Sequence, residues 1–127
     1  MKTITFRGKR TDNGEWVYGY YFKDMAEGRT YHVIGETPLL AHEIDPGTVG
    51  QFTGLHDMAG VGIFEDDIIE LTLGRLGYVM YHEDLAQYVL TRTGLAHTSL
   101  FYIHNEHNKE ILIIGNIHDN PEILSTK

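Results

Sequence analysis

Carboxylate and imidazole side chains accumulate in the middle of this chain. His56 and Asp57 are adjacent, and an acidic run of Glu65, Asp66 and Asp67 follows. Converging carboxylates hold Mg²⁺ in two-metal hydrolases, which is the chemistry that such a cluster would support. Neighbouring residues of a strand point to opposite faces, so at most two members of the run can converge locally. A solvated turn is therefore the favoured interpretation, and a metal-dependent hydrolase using His56, Asp57 and Asp67 is the alternative.

The histidines are the other candidates for metal binding. The chain has 8 of them and no cysteine, which excludes disulfides, cysteine-ligated zinc and thiol nucleophiles. His104 and His107 are spaced three apart, but Asn105 and Asn108 favour a turn there, and no His-Glu-x-x-His motif occurs. Surface histidines are the favoured interpretation. We expect no metal site and no cofactor.

Nucleophilic catalysis has less support still. Ser99 and Ser125 are the only serines, and neither lies in a Gly-x-Ser-x-Gly motif. No phosphate-binding loop or dinucleotide fingerprint occurs among the 14 glycines. The sequence therefore assigns no catalytic residue and favours a protein that is not an enzyme.

Charge divides the chain unevenly. Residues 1–35 carry six basic and four acidic side chains, a net charge of +2, and residues 36–127 carry four basic and fourteen acidic, a net charge of −10. The acidic residues of 36–127 repel phosphate backbones, which disfavours nucleic acid as a partner. The alternative is a nucleic-acid-binding module that uses the basic N-terminus and the aromatic residues of a hairpin. Its candidate residues are Lys2, Arg7, Lys9, Arg10, Tyr18, Tyr20, Tyr21 and Phe22.

The location of the protein can also be predicted. The first ten residues lack the apolar region of a secretory signal, and the longest apolar run, residues 111–114, is far shorter than a membrane span. We expect a cytoplasmic protein without membrane contact.

Short strands joined by glycine-rich turns must position these side chains. Residues 6–10 and 15–22 predict two strands joined by a tight turn at Asn13 and Gly14, because both residue types tolerate positive φ. Strand alternation then places Trp16, Tyr18, Tyr20 and Phe22 on one face. A third strand is predicted at 29–34, with residues 39–44 continuing the sheet.

The rest of the chain predicts further strands. Residues 48–52, 64–73, 74–82, 86–92 and 109–118 are strand-like, residues 100–103 are a candidate strand, and Asn120-Pro121 predicts a short helical turn. The fold class is thus mainly β: a small barrel of SH3-like type over 61–118 with an N-terminal β-hairpin extension. We expect a single domain, 1–127, with a possible subdivision into 1–50 and 61–118.

Three stretches resemble the YopX family of bacteriophage and prophage proteins. They are FRGKR followed by GEWVYGY (6–10, 14–20), IDPGTVGQFTGLHD with IFEDDIIE (44–57, 63–70), and IGNIHDNPEIL (114–124). The resemblance implies a small, mainly-β phage protein in the bacterial host cell, and no established activity or catalytic residue comes with it. Asp66 stands where the family usually has glycine, which would suit a turn with positive φ.

The middle stretch has two interpretations. In the structural interpretation, its apolar residues anchor a core and its glycines shape turns. In the functional interpretation, a recognition surface is lined by Gln51, Thr53, His56 and Asp57, since loop residues on rigid sheets often form such a surface. The leading functional hypothesis is a non-enzymatic protein that acts through a protein partner or through self-association, because strand edges can pair with a neighbouring chain.

Overall fold

The computed structural model describes residues 5–92, 97–107 and 110–125, with the backbone alone at His107. The chain divides into two compact units, Met1–Phe52 (unit 1) and Thr53–Lys127 (unit 2). Each unit is built mainly from antiparallel strands, which confirms the predicted mainly-β class. No finding tests the prediction of a single domain or its proposed subdivision.

Unit 1 is an antiparallel sheet in which the strands follow the order β4-β3-β2-β1-β5. The strands are β1 (Phe6–Lys9), β2 (Trp16–Ala26), β3 (Arg29–Thr37), β4 (Leu40–Glu43) and β5 (Gly50–His56), of which β5 continues into unit 2. The N-terminal hairpin is as predicted: β1 pairs with β2 from Phe6↔Gly19 to Lys9↔Trp16. Gly14 in its turn has a φ of +73°. Strand β2 runs four residues beyond the predicted end at Phe22.

The sheet of unit 1 curls upon itself without forming a closed barrel. An isolated bridge joins Arg10 to Ile44, and the amide of Asp45 donates to the carbonyl of Lys9 at 2.8 Å. The side chains of Ile34 and Ile44 fill the inside of this curl and are fully buried. Gly8 allows that packing, since a Cβ there would lie 3.1 Å from Cδ1 of Ile34. A 3₁₀ turn, Pro46–Thr48, follows Asp45 and is capped by the Asp45 carboxylate.

Unit 2 contains a second antiparallel sheet, with the order β10-β9-β8-β7-β11. Its elements after β5 are β6 (Gly62–Phe64), β7 (Asp67–Glu70), β8 (Leu76–His82), β9 (Gln87–Thr91), β10 (Thr98–Ser99), α1 (Leu100–His107), β11 (Leu112–Asn116) and α2 (Glu122–Ser125). Aliphatic side chains from the strands and α1 form its core: Ile63, Ile69, Val79, Leu90, Leu100, Ile103 and Ile111. The predicted meander of β8 and β9 and the C-terminal helical turn are confirmed.

The predicted barrel over 61–118 is not confirmed. Within the described residues the sheet is open, because β10 pairs only with β9 and β11 pairs only with β7. An SH3-like fold is therefore not confirmed either.

Two predicted strands were wrong. The strand at 64–73 is interrupted at Asp66, and Leu73, at its predicted end, is 92% exposed with a φ of +71°. Residues 100–103 begin helix α1, in which Leu100 and Ile103 are buried. Their spacing of three fits one face of a helix, and the hydroxyl of Ser99 accepts the Tyr102 amide at 3.2 Å.

Candidate interaction surface

Asp57, the central residue of both predicted sites, supports the structure around it. Its side chain is buried, and Oδ1 accepts hydrogen bonds from the amides of Ala59 and Val61 at 2.9 Å each. Oδ2 accepts the amide of Ile113 in β11 at 3.1 Å. Met58 donates from its amide to the carbonyl of Ile111 at 2.9 Å. The carboxylate thus closes the loop after β5 and fixes it along β11.

The other residues of the predicted recognition surface differ in their exposure. Thr53 is buried, and its hydroxyl donates to the carbonyl of Ile63 at 2.8 Å. Gln51 is half-buried, and His56 is exposed. Of the four residues, then, only Gln51 and His56 present side chains at the surface, and Thr53 and Asp57 stabilise unit 2.

Asp67 is also placed for a structural role. It is 2% exposed, and Oδ2 accepts the amide of Phe64 at 2.8 Å, which holds the turn between β6 and β7. Among the residues that the structure describes, no group of three histidine, aspartate or glutamate side chains could hold a metal ion. The geometry therefore adds nothing in favour of the trio His56, Asp57 and Asp67 as a metal site.

Asp66 occupies the turn that the sequence predicted. Its φ is +73°, in the left-handed region where the family usually has glycine. Oδ2 of Asp66 lies 2.8 Å from Nε2 of His118, and the Asp66 carbonyl accepts the amide of Ile117 at 3.0 Å. This carboxylate therefore fixes the segment after β11 to the β6–β7 turn.

The hairpin formed by β2 and β3 extends beyond the rest of unit 1. Strand β1 pairs with β2 only as far as Gly19, and β4 meets β3 only from Val33 onwards. Between these limits the two strands pair with each other, ending with Ala26↔Arg29. All side chains from 23 to 30 are exposed. We call residues 23–30 the arm.

The tip of the arm is a tight turn with an unfavourable residue. Glu27 and Gly28 have φ values of +55° and +77°, the pair of positive angles typical of a type I′ hairpin turn. Glycine adopts such an angle without strain, but glutamate does not. The guanidinium of Arg29 donates to Glu43 at 2.7 Å and lies 4.3 Å from the ring centre of Tyr31. Cross-strand pairs and these two contacts hold the arm.

One face of β2 presents aromatic rings beside cations. As predicted, alternate residues of β2 share this face, and Tyr18 and Tyr20 are 59% and 54% exposed. Cζ of Arg7 lies 4.7 Å from the ring centre of Trp16, and Nζ of Lys9 lies 5.8 Å from it. We call Arg7, Lys9, Trp16, Tyr18 and Tyr20 the aromatic face.

Among the described residues, two tyrosines have a raised pKa. Burial, together with Glu65 and Tyr81, raises the pKa of Tyr88 to about 12, and burial raises the pKa of Tyr21. Both phenols pack against other rings: Tyr88 meets Tyr81 at 5.2 Å between ring centres, and Tyr21 meets Phe6 at 5.7 Å. Buried phenols of this kind remain protonated and neutral, so they contribute to packing.

The strongest surface feature, the arm, was not predicted from the sequence. Predictions made for each strand separately do not reveal that β2 and β3 extend beyond β1 and β4. That extension depends on where the pairing with β1 and β4 ends. In the structure β2 and β3 have 11 and 9 residues, against 4 for β1 and 4 for β4, whereas the sequence predicted that the second strand ends at Phe22. Among the described residues, no helix is both long and apolar enough to cross a membrane.

Comparison with known proteins identifies relatives of this chain. The family model described as "YopX protein" matches residues 5–125. The crystal structure of protein EF1440 from Enterococcus faecalis is similar, with a TM-score of 0.56 and 22% sequence identity. The match covers 98% of this chain and 99% of that one. At this identity the likeness concerns the fold alone. No curated protein matches the chain.

Proposed function

The chain belongs to the YopX family, and from that premise we propose that it is a phage or prophage protein that acts by protein–protein contact in the bacterial cytoplasm and not by catalysis. The observation that carries the proposal is the arm, in which eight successive side chains are exposed. A hairpin of two strands is marginally stable by itself in water, and a partner that pairs with its edges would stabilise it.

A second copy of this chain is the partner that the arm fits best. Both edges of the arm are open in the described part of unit 1, so a strand of another chain can add to either of them. Its charges are balanced, because Lys23 and Arg29 offset Asp24 and Glu27. Two identical arms can therefore meet about a two-fold axis without net repulsion, and the apolar side chain of Met25, 71% exposed, would lie within the contact.

The mass of the protein in solution tests this proposal. Light scattering across a range of micromolar concentrations should give a dimer, and Met25→Glu should shift it to a monomer, because the substitution removes an apolar contact and unbalances the charge. Leu85→Glu is the matched control, since Leu85 is 52% exposed and belongs to unit 2 and not to the arm. This variant should remain dimeric.

Two outcomes would contradict the proposal. A monomeric wild-type chain at all concentrations would exclude self-association through the arm, and so would loss of the dimer in both variants alike. Turnover of a nucleotide or nucleic acid, abolished by Asp67→Asn in a folded protein, would contradict a non-enzymatic role.

A nucleic-acid-binding module is the second candidate, and the aromatic face is the observation that favours it. Exposed rings stack on unpaired bases, and neighbouring cations attract phosphates. Trp16 is the only tryptophan, so its fluorescence reports on this face. Single-stranded DNA at low salt should quench it, Tyr20→Ala should weaken the binding, and added salt should weaken it further. Unchanged fluorescence at low salt would exclude this candidate.

A further inference from the structure

Unit 2 contains a cleft at one end of its sheet. Its volume is about 160 Å³, and Leu71, Leu90 and Ile103 form its apolar floor. Leu90 and Ile103 are 8% and 5% exposed, so they are held firmly by the core beneath them. A cavity of roughly 150 Å³ accommodates a molecule the size of benzene. The floor thus suits an apolar group of four to six carbon atoms, roughly the size of that molecule.

Gly77 determines the shape of this floor. A Cβ at this position would lie 2.8 Å from Cγ of Leu90 and 3.1 Å from the carbonyl oxygen of Thr91. Real Cβ atoms do not approach another carbon so closely, so any larger residue would displace the Leu90 side chain. The present shape of the floor therefore depends on glycine at position 77.

Among the described residues, the rim of the cleft carries one cation and one anion. Arg75 lies in the connection between β7 and β8, and Glu110 lies just before β11, which pairs with β7. Both charges are consequently at the same end of the sheet. The guanidinium has five N–H donors, of which Nε lies 3.5 Å from the carbonyl of Thr72. The carboxylate offers several acceptor positions, so each group can bind a ligand in addition to its protein contacts.

Two polar groups complete the rim. Thr98 and Tyr102 line it, and both are exposed. The hydroxyls of threonine and tyrosine can donate or accept, so they suit either end of a small polar ligand. The cleft thus combines an apolar floor with a few convergent polar groups, the arrangement typical of small-molecule sites.

We propose that this cleft binds a free aliphatic amino acid such as leucine. The carboxylate of the ligand pairs with Arg75, its ammonium group pairs with Glu110, and its side chain rests on the floor. Arg–carboxylate pairs are geometrically specific because two parallel N–H···O bonds form. Phosphate fits poorly, since Glu110 and the acidic unit 2 repel it. A metal ion fits poorly too, because the part of the rim that the structure describes supplies a single carboxylate.

NMR titration of the whole chain tests this proposal where binding would occur. Leucine at millimolar concentration should shift the methyl signals of Leu71, Leu90 and Ile103 and leave those of Ile34 and Ile44 in unit 1 unchanged. Two analogues separate the contributions of the charges: 4-methylpentanoate lacks the ammonium group, and 3-methylbutan-1-amine lacks the carboxylate. Each should bind about tenfold more weakly than leucine, as expected for the loss of one charge-assisted contact.

Substitutions identify the residues. Arg75→Gln should weaken leucine binding about tenfold and affect 4-methylpentanoate similarly, while amine binding changes little. Glu110→Gln should weaken the binding of leucine and of 3-methylbutan-1-amine about tenfold, while the binding of 4-methylpentanoate changes little. Glu83→Gln, which removes an exposed carboxylate of unit 2 outside the lining of the cleft, is the matched control and should bind leucine as the wild type does. Gly77→Ala should reduce the binding of all three compounds, because the displaced Leu90 changes the floor.

Several results would overturn the proposal. The absence of methyl shifts with leucine would exclude an amino-acid site, and equal binding of leucine and both analogues would show that the charges are not recognised. Unchanged leucine binding in both Arg75→Gln and Glu110→Gln would place the site elsewhere. None of these results depends on the oligomeric state, so the cleft and the arm are tested separately.

Discussion

The two units of this chain are built from different kinds of side chain. Of the buried hydrophobic residues in the described part of the chain, unit 1 holds two, Ile34 and Ile44, and unit 2 holds nine. Their charges differ as well: residues 1–52 carry six basic and seven acidic side chains, and residues 53–127 carry four and eleven. Unit 2 therefore has the composition of a stable scaffold, and unit 1 that of a surface for contact.

Unit 1 compensates for its small aliphatic core with rings. Phe6 packs on Tyr21, whose hydroxyl lies 2.6 Å from Nδ1 of His32. Such contacts combine apolar packing with a polar group that can reach water or a partner. The comparison teaches that two regions built mainly from strands can differ in the kinds of side chain that they bury.

The largest effect should come from the core of unit 2. Ile69→Ala should lower the free energy of unfolding by about 3 kcal/mol, because a fully buried side chain leaves a cavity. Met25→Ala in the arm should change it by less than about 0.5 kcal/mol. Urea denaturation measures both values. Similar losses from the two substitutions would invalidate the division into scaffold and surface.

Asp57→Ala should have the next largest effect, a loss of about 2 kcal/mol, because three backbone amides lose their acceptor. The matched control is Asp84→Ala, which removes an exposed carboxylate from the same unit. Thermal or urea unfolding gives the difference. A loss no greater than that of the control would show that the loop after β5 does not need its carboxylate.

Two substitutions of Asp66 distinguish the effect of backbone strain on stability from the effect of its side-chain contact. Asp66→Ala keeps a side chain at positive φ and removes the contact with His118, whereas Asp66→Gly removes the contact and relieves the strain. We expect Asp66→Ala to be less stable than Asp66→Gly by about 1 kcal/mol. Equal stabilities in urea would mean that the turn imposes no strain.

The tip of the arm should respond to a smaller change. Glu27→Asn replaces a residue unsuited to positive φ with one that type I′ turns prefer, and should stabilise the arm by about 0.5 kcal/mol. Hydrogen exchange of the amides in 23–30 should slow, while exchange in the strands of unit 2 stays the same. Slower exchange throughout both units would indicate that the arm is not a separate element.

The smallest effect should be a pH dependence confined to alkaline solution. Burial raises the pKa of Tyr88 from 10 to about 12, so the folded chain retains this proton where the unfolded chain loses it. The resulting stability is complete below pH 10 and falls as the pH rises towards 12. Tyr88→Phe should therefore lose less stability over this interval than the wild type, as measured by urea midpoints. Parallel losses would contradict the assignment.

Local patterns predicted much of this fold, and long-range pairing accounts for what they missed. Asn13-Gly14 and the alternation after it were enough to predict the first hairpin. The turn at Asp66 was implied by the family resemblance, whereas the local pattern predicted an unbroken strand over 64–73. The role of Asp57 depends on Ile113, 56 residues away, which no local pattern indicates. Helix α1 was missed for two reasons. Asn105 and Asn108 favoured a turn, and the apolar residues in 100–103 indicated a short strand.

The loop held by Asp57 has a consequence for aggregation. Strand β11 lies at one edge of its sheet and contains three of the four consecutive aliphatic residues 111–114. Exposed edges of this composition recruit other chains into fibrils. The Asp57 carboxylate and the Met58 amide occupy backbone groups along that edge, so local opening of one loop, without global unfolding, would be enough to expose a nucleus for fibril growth.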